Sequence, residues 1–442
     1  LIKQKKTNES GSVTERTLVG FRFTADFTYT PWGAYRAKGH EYQVVNDEKV
    51  MELEQNPLVY DPVEGTINYA GEYLRASDFV TIRRPTAKNY FASADRAADF
   101  RTYNLGTSLD LVFSLGENAT LDLIGEFSYY KGSGASVDPL NMTRGGNGVA
   151  EQKSFNITLD FTQRFPDEAP SAEATEPTAK SSKAVTNVMW SLSAIYEHLA
   201  SLSYNEKFGK DINNVFRYGH VGQFFTTQER SYQSGQYDLD GITRTAMIQN
   251  SWRETFNIDE YIPSQYNPIY ANYNRQIAGI DDLKPYLFNF SNLQMFKGII
   301  NGGGPGNIYG LLNNVGVQSS GYAMSELNSI NGTIKAAATI MGKHDIEIGF
   351  QFDRASESYY SLGAGSLWSI MRQNTNSHIS QLDFSNPIVR EEDGVLYVDY
   401  DRLVGGGQTA IDASLRQALG AASNEWIDVD RYEPDWFVTA AQ

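Results

Sequence analysis

The sequence predicts an all-β chain, part of a large transmembrane antiparallel β-barrel with about nine visible strands and long extracellular loops. Three observations carry this. First, residues 102–130 form two alternating runs around a short turn at Gly116-Glu117-Asn118. In the first run Tyr103, Leu105, Leu109, Leu111, Phe113 and Leu115 share one face; in the second Leu121, Leu123, Phe127 and Tyr129 oppose Thr120, Asp122, Glu126 and Ser128. Successive strand side chains point to opposite faces, so this hairpin has one apolar and one polar side. Second, each run has about the length, roughly 9 to 11 tilted residues, that crosses a bilayer. Third, 27 Tyr, 23 Phe and 38 Gly accompany a mean hydropathy of only −0.42. No run approaches the roughly 18 apolar residues of a membrane helix, whereas a barrel strand needs apolar residues only at alternate positions.

The remaining strands follow in order. Lys3 to Lys6 is a short basic cluster ahead of the first strand, residues 17–30, where Phe21, Phe23, Ala25, Phe27 and Tyr29 alternate with Arg22, Thr24, Asp26 and Thr28. Residues 31–101 lose the alternation and are assigned to the cell exterior, since barrels place long loops outside and short turns on the periplasmic side. Residues 151–165 and 186–202 continue the apolar face through Phe155, Ile157, Leu159 and Phe161, then Trp190, Leu192, Ala194 and Tyr196. Between them, residues 166–183 read as a disordered-type linker by their Pro, Ala, Ser and Glu content. Strands are also predicted at 214–230 and 241–256, with less regular faces, before a second excursion at 257–326. A tight hairpin through Gly342-Lys343 then joins 327–341 to 344–358. The predicted organisation is therefore barrel strands over 1–358, interrupted by the two excursions, and an extracellular segment over 359–442 with short helices at 366–373 and 411–419.

The net charge of −16 and pI near 4.8 argue against a nucleic-acid partner, which requires clustered Lys and Arg. Cysteine is absent, so there is no disulfide framework. The five histidines, His40, His198, His220, His344 and His378, fit no zinc spacing. Gly302 to Gly306 lacks the Gly-Lys-Ser/Thr of a phosphate loop, and Asp238-Leu239-Asp240-Gly241 lacks the Glu that completes a calcium loop. No catalytic constellation and no cofactor is expected. Eight carboxylates, Asp26, Asp110, Asp122, Glu126, Asp160, Asp345, Glu347 and Asp353, fall on the polar side of the strands, and an acidic lumen wall is expected there, either as solvated surface or as an attractant for basic solutes. Trp32, Tyr359, Tyr360 and Trp368 are candidate ligand contacts in the outer loops, with packing of loop on loop as the alternative role.

The outer segments resemble a known family. NNVFRYGHVGQF (213–224), NPIYANYNRQ (267–276), GIINGGGPGNIYGL (298–311) and the long run from His344 to Pro387 resemble TonB-dependent outer-membrane transporters of Bacteroidetes, in the Oar-like, carboxypeptidase-regulatory-like subgroup. The resemblance covers most of the chain from Thr17 onward. It implies a barrel of about 22 strands filled by a plug, ligand capture by outer loops, and opening by an inner-membrane motor pulling on a TonB box. These 442 residues contain no TonB box, plug or amino-terminal regulatory-like domain, and they open on Leu1 with no signal peptide. An internal portion of a longer protein is therefore expected, in contact with outer-membrane lipid and coupled to TonB through a preceding part. Two other readings stand beside it. One is a structural barrel subunit of an outer-membrane secretion or insertion assembly that binds partner proteins at its outer loops; the other is a soluble β-rich adhesin or enzyme.

Overall fold

The computed structural model describes residues 2–7, 13–31, 42–45, 47–73, 91–94, 101–134, 148–165, 185–308, 312–316, 321–341 and 343–441. In chain order the longer strands are β1 (Ile2–Thr7), β2 (Val13–Thr30), β3 (Arg101–Ser114), β4 (Ala119–Gly134), β5 (Gly148–Phe165), β6 (Val185–Asn205), β7 (Thr226–Leu239), β8 (Ile242–Phe256), β9 (Gly321–Ile340), β10 (His344–Gly363), β11 (Ile388–Glu392) and β12 (Val395–Asp399). Eight of them, β1 to β6 with β9 and β10, form one sheet in that spatial order, each antiparallel to the next. The sheet is open: among the described residues β1 and β10 pair with no further strand.

Chain direction puts the connections of one kind at one end. The β3–β4 turn, where Gly116 takes a φ of 75°, and the β9–β10 turn, where Met341 takes a φ of 54°, lie at the lower end of the sheet. At the other end lie the long segments after β2, β6 and β10. They contain the helices α1 (Asp47–Gln55), α2 (Asn214–Gly219), α3 (Pro268–Ala278), α4 (Phe290–Met295), α5 (Ala364–Asn374), α6 (Ala410–Leu419) and α7 (Pro434–Ala441). The chain is thus mostly β, with its helices confined to an upper body. No described helix is long and apolar enough to cross a membrane.

Two sequence expectations are corrected here. The predicted strand at 214–230 is helix α2 followed by a bend, because Gly219 packs where any Cβ would come within 2.4 Å of the Trp368 ring. The strand proper begins at Thr226, and the hairpin β7–β8 stays out of the large sheet altogether. It forms a four-stranded sheet with β12 and β11, β8 running parallel to β12 through Ala246–Leu396 and Ile248–Val398. Its apolar face is covered by protein: Ala246, Leu382, Leu396, Val398 and Tyr400 are buried together. Seven of the predicted strands belong to the large sheet, the polar β1 joins them, and the second excursion runs from the end of β6 to the start of β9.

The upper body has the ordinary anatomy of a folded domain. One core gathers Val50, Leu53, Phe224, Tyr273, Ile277, Leu287 and Leu293, drawing on the segments after β2 and after β6. A second gathers Trp368, Met371, Leu415, Ile427, Val429 and Phe437 from the segment after β10. A buried polar cluster staples the two: Asp430 accepts both Nε and Nη2 of Arg372 at 2.8 and 2.6 Å and Nδ2 of Asn301 at 2.9 Å, while Asn301 Oδ1 accepts the backbone N–H groups of Val221 and Gly222.

Candidate functional site

The large sheet carries two faces of opposite chemistry, in register across seven strands. On one face Val19, Phe113, Leu121, Phe161, Leu192, Ile334 and Phe350 lie side by side. Among the described residues no protein layer covers this band; Phe21, Phe23, Phe27, Ile348 and Phe350 are each more than 60 % exposed. Toward the upper end the apolar rows stop at a line that is not perpendicular to the strands. Going up each strand, the apolar band ends at Tyr29 on β2, Tyr103 on β3, Tyr129 on β4, Phe155 on β5, Tyr196 on β6, Ile330 on β9 and Phe352 on β10; higher still, Leu202 and Tyr204, Met324 and Tyr322, and Tyr360 return to this face beyond a polar break, and Tyr204 and Tyr322 are buried with Val149 and residues of the upper body. Phe352 lies in the row of Phe21, not in that of Tyr29, so the limit descends steadily from one side of the sheet to the other. Four of the seven limiting residues are tyrosines, and Tyr29 stacks on Tyr103 at 4.7 Å. Above the line come charged or polar residues on the same face: Lys131, Lys153, His198 and Arg354. His198 Nδ1 lies 2.8 Å from Asn328 Oδ1 there.

The opposite face holds all eight predicted carboxylates, Asp26, Asp110, Asp122, Glu126, Asp160, Asp345, Glu347 and Asp353, with Ser108, Asn156, Ser193, Asn331 and Thr339 among their direct partners. Few find a cation. Arg22 binds Asp110 through Nε at 2.7 Å, and Lys335 approaches Glu347 at 3.7 Å. Asp122 and Asp160 sit directly opposite each other on neighbouring strands, an arrangement of like charges that disfavours the sheet.

The predicted aromatic contacts separate. Tyr359 and Tyr360 are exposed near the top of β10, on opposite faces of the sheet. Trp32 falls outside the described residues. Trp368 is a correction: it is fully buried, with its indole N–H donating to the Phe216 carbonyl at 3.1 Å, its ring stacked on His220 and edge-on to Phe437. Gly302, at a φ of 79°, presses on its Cβ where a side chain would not fit, which explains the glycine-rich run at 302–306 as close packing. The Asp238–Gly241 stretch is a hairpin turn, with Asp240 and Gly241 at positive φ and the Gly241 N–H donating to Asp238 Oδ1.

A cleft of about 840 Å³ opens in the upper body between β8 and the segment that follows β10. Trp252, Trp426 and Phe384 form its walls, with Arg402, Asp383 and Glu254 among them. The guanidinium of Arg402 lies between the indoles, 4.7 Å from the Trp252 ring and 3.9 Å from the Trp426 ring. It donates to two neutral acceptors, the Ile379 carbonyl and Gln228 Oε1. Sequence reasoning missed these residues because positions 252, 402 and 426 converge only through the tertiary fold. Among the described residues no three metal-binding side chains gather into a site.

Burial also shifts three carboxyl and imidazole groups of the body. It pushes the Asp428 carboxyl up to about 7 and raises Glu254, and it pushes His220 down to about 4, so that this ring is neutral at ordinary pH. No family model, curated protein or solved structure matches this chain.

Proposed function

We propose that the chain is a portion of a TonB-dependent outer-membrane receptor or transporter that takes up a large solute or peptide, its large sheet forming part of a transmembrane barrel wall and its upper body facing the cell exterior. One observation carries this reading: the oblique upper limit of the apolar band below the first polar break on each strand. Between β2 and β10 that limit falls by the spacing from Tyr29 to Phe21, about 26 Å along the strands, over six strand-to-strand steps or about 29 Å, at standard strand spacings. The two lengths correspond to strands leaning about 40° from the normal to a flat boundary. Barrel strands lean about 35–45° in the outer membrane, with aromatic girdles where the apolar band meets the headgroups, and Tyr29, Tyr103, Tyr129 and Tyr196 stand in that position.

Open sheet edges do not persist in lipid, so the twenty-residue edge β10 and the edge at β1 call for further strands to close the wall. Energy coupling to the inner membrane would then pass through a part outside these 442 residues. The test is fractionation of the native protein followed by intact-mass measurement and peptide mapping. Resistance of the outer-membrane fraction to alkaline carbonate, extraction only with detergent, and a mass well above 49.3 kDa with a plug mapped upstream are expected. Release by carbonate without detergent would overturn the membrane reading.

A further inference from the structure

The cleft in the upper body has a chemical asymmetry that selects among ligands. Its volume of about 840 Å³ falls within the roughly 300–1,000 Å³ of small-molecule sites. Three aromatic walls offer contact area at little conformational cost. The cation in its wall is the unusual part. Other arginines of the upper body that lose solvent close on carboxylates: Arg372 on Asp430, Arg390 on Asp399, Arg416 on Asp412. Arg402 has no carboxylate within 4 Å among the described residues, and it is fixed in place by two indole faces and two neutral oxygens. A guanidinium has five N–H donors in a planar fork, of which two are used here. The remaining donors and the uncompensated charge are suited to a carboxylate, which pairs with arginine bidentately.

The rest of the lining narrows the class. Asp383 and Glu254 border the same cleft, in a chain of net charge −16, so a polyanion or a phosphate dianion meets repulsion. Asp383 accepts hydrogen bonds from Ser385 and Asn386 that hold its carboxyl below the ordinary range, and it offers a negative group to an ammonium. Burial without a carboxylate partner lowers Arg402 to about 10, which leaves it cationic at neutral pH.

We propose that this cleft binds short peptides, the peptide carboxylate pairing with Arg402, an apolar side chain resting against Trp252, Trp426 and Phe384, and a peptide amine facing Asp383. The proposal deepens the transporter reading by naming what the upper body captures, but binding can be measured whether or not the large sheet lies in lipid.

Isothermal titration of the detergent-purified native protein with the tripeptide Ala-Leu-Phe and with its C-terminal amide tests it. Saturable binding of the free acid, at least tenfold weaker for the amide, is expected. Arg402→Gln should lose the acid's advantage so that acid and amide bind alike, and Arg402→Lys should restore part of it, which distinguishes lost charge from lost fold. Asp383→Asn, at a half-buried position, should weaken the free peptide but leave its N-acetylated form unchanged. Equal affinity of wild-type protein for acid and amide, no binding of either, or preferential binding of inorganic phosphate or galacturonate would each overturn the proposal. Peptide binding by a protein that carbonate releases from membranes would sustain the cleft and reject the transporter.

Discussion

The large sheet and the upper body bury their apolar residues in opposite ways. In the sheet Phe21 is 65 % exposed and Phe350 67 %, although each sits in a regular ladder with every neighbour in register. In the upper body Trp368 and Tyr273 are fully enclosed. The body therefore draws its stability from its own cores, as a water-soluble domain does. The sheet buries apolar residues only at its upper end, where Val149, Tyr204 and Tyr322 pack with Val215 and Ala364 of the body, and the rest of its apolar face is the surface that the proposed function sets in lipid. On the proposed function the two regions answer to different solvents, and each substitution below tests that contrast.

The largest effect is expected inside the body. Asp430 is the acceptor on which Arg372, Asn301 and, through its backbone carbonyl, the Phe224 N–H converge. Asp430→Ala would leave the Arg372 guanidinium buried without its counter-charge, a change that costs about 3–5 kcal/mol. Chemical denaturation followed by near-ultraviolet circular dichroism should show the body's transition shifted while the sheet's resistance to heat in detergent is retained. Loss of both together would mean that body and sheet form one cooperative unit, and the contrast drawn above would fail.

A second substitution addresses the sheet. Ile334 lies in the middle of the exposed apolar band, between Leu192 and Phe350, and Thr333 lies next to it on the polar face, between Ser193 and Gln351. In lipid, Ile334→Lys should destabilise the wall by about 2–4 kcal/mol and Thr333→Lys should be close to neutral. Equilibrium unfolding from vesicles reads the difference. Equal costs at the two positions would remove the lipid from the account, since only a one-sided solvent distinguishes adjacent residues of one strand.

These two positions also show what was legible in the sequence. Alternation identified the strands from β2 through β6 and the β9–β10 pair, because a sheet with one apolar and one polar face writes a period of two over long runs. The helices at 364–374 and 410–419 were legible as well, the second with Thr409 capping Asp412 and Gly420 ending the turn at positive φ. The hairpin β7–β8 alternates too, but its apolar face meets Leu396 and Val398, and periodicity does not tell lipid from a protein partner. β1 was missed because Lys3, Lys5 and Lys6 hide an edge strand among charges, a usual composition for edges. For Trp368 the sequence left a ligand contact and loop packing both open, and packing against Gly219 and Gly302, which lie far away in sequence, encloses it. The cleft depended on three such convergences at once.

The smallest expected effect concerns the pH range over which the body is most stable, and it again separates the body from the sheet. Asp428 has one carboxylate oxygen accepting the Thr226 N–H at 2.7 Å and the other buried without a partner. Burial first, then the neighbouring Asp430 and Glu254, raise it to about 7 from the ordinary 3.8. Its contribution is therefore fully present below about pH 4 and is lost as pH rises through 7, because the unfolded chain releases the proton first. His220 acts with the opposite sign: its depressed value near 4 means that the body loses stability as pH falls from 6.5 toward 4. In the wild type the two trends oppose each other between pH 4 and 6.5. Asp428→Asn keeps an acceptor for Thr226 and has no proton to lose, so the body should gain about 1–3 kcal/mol at pH 7.5 relative to pH 4 when compared with the wild type. Its stability should then rise more with pH across the interval than that of the wild type, because Asp428 no longer opposes His220. A variant whose melting curve tracks the wild type at both pH values would mean that Asp428 is ionised in the folded body, and the lone buried oxygen would then need a cation or a water to account for it.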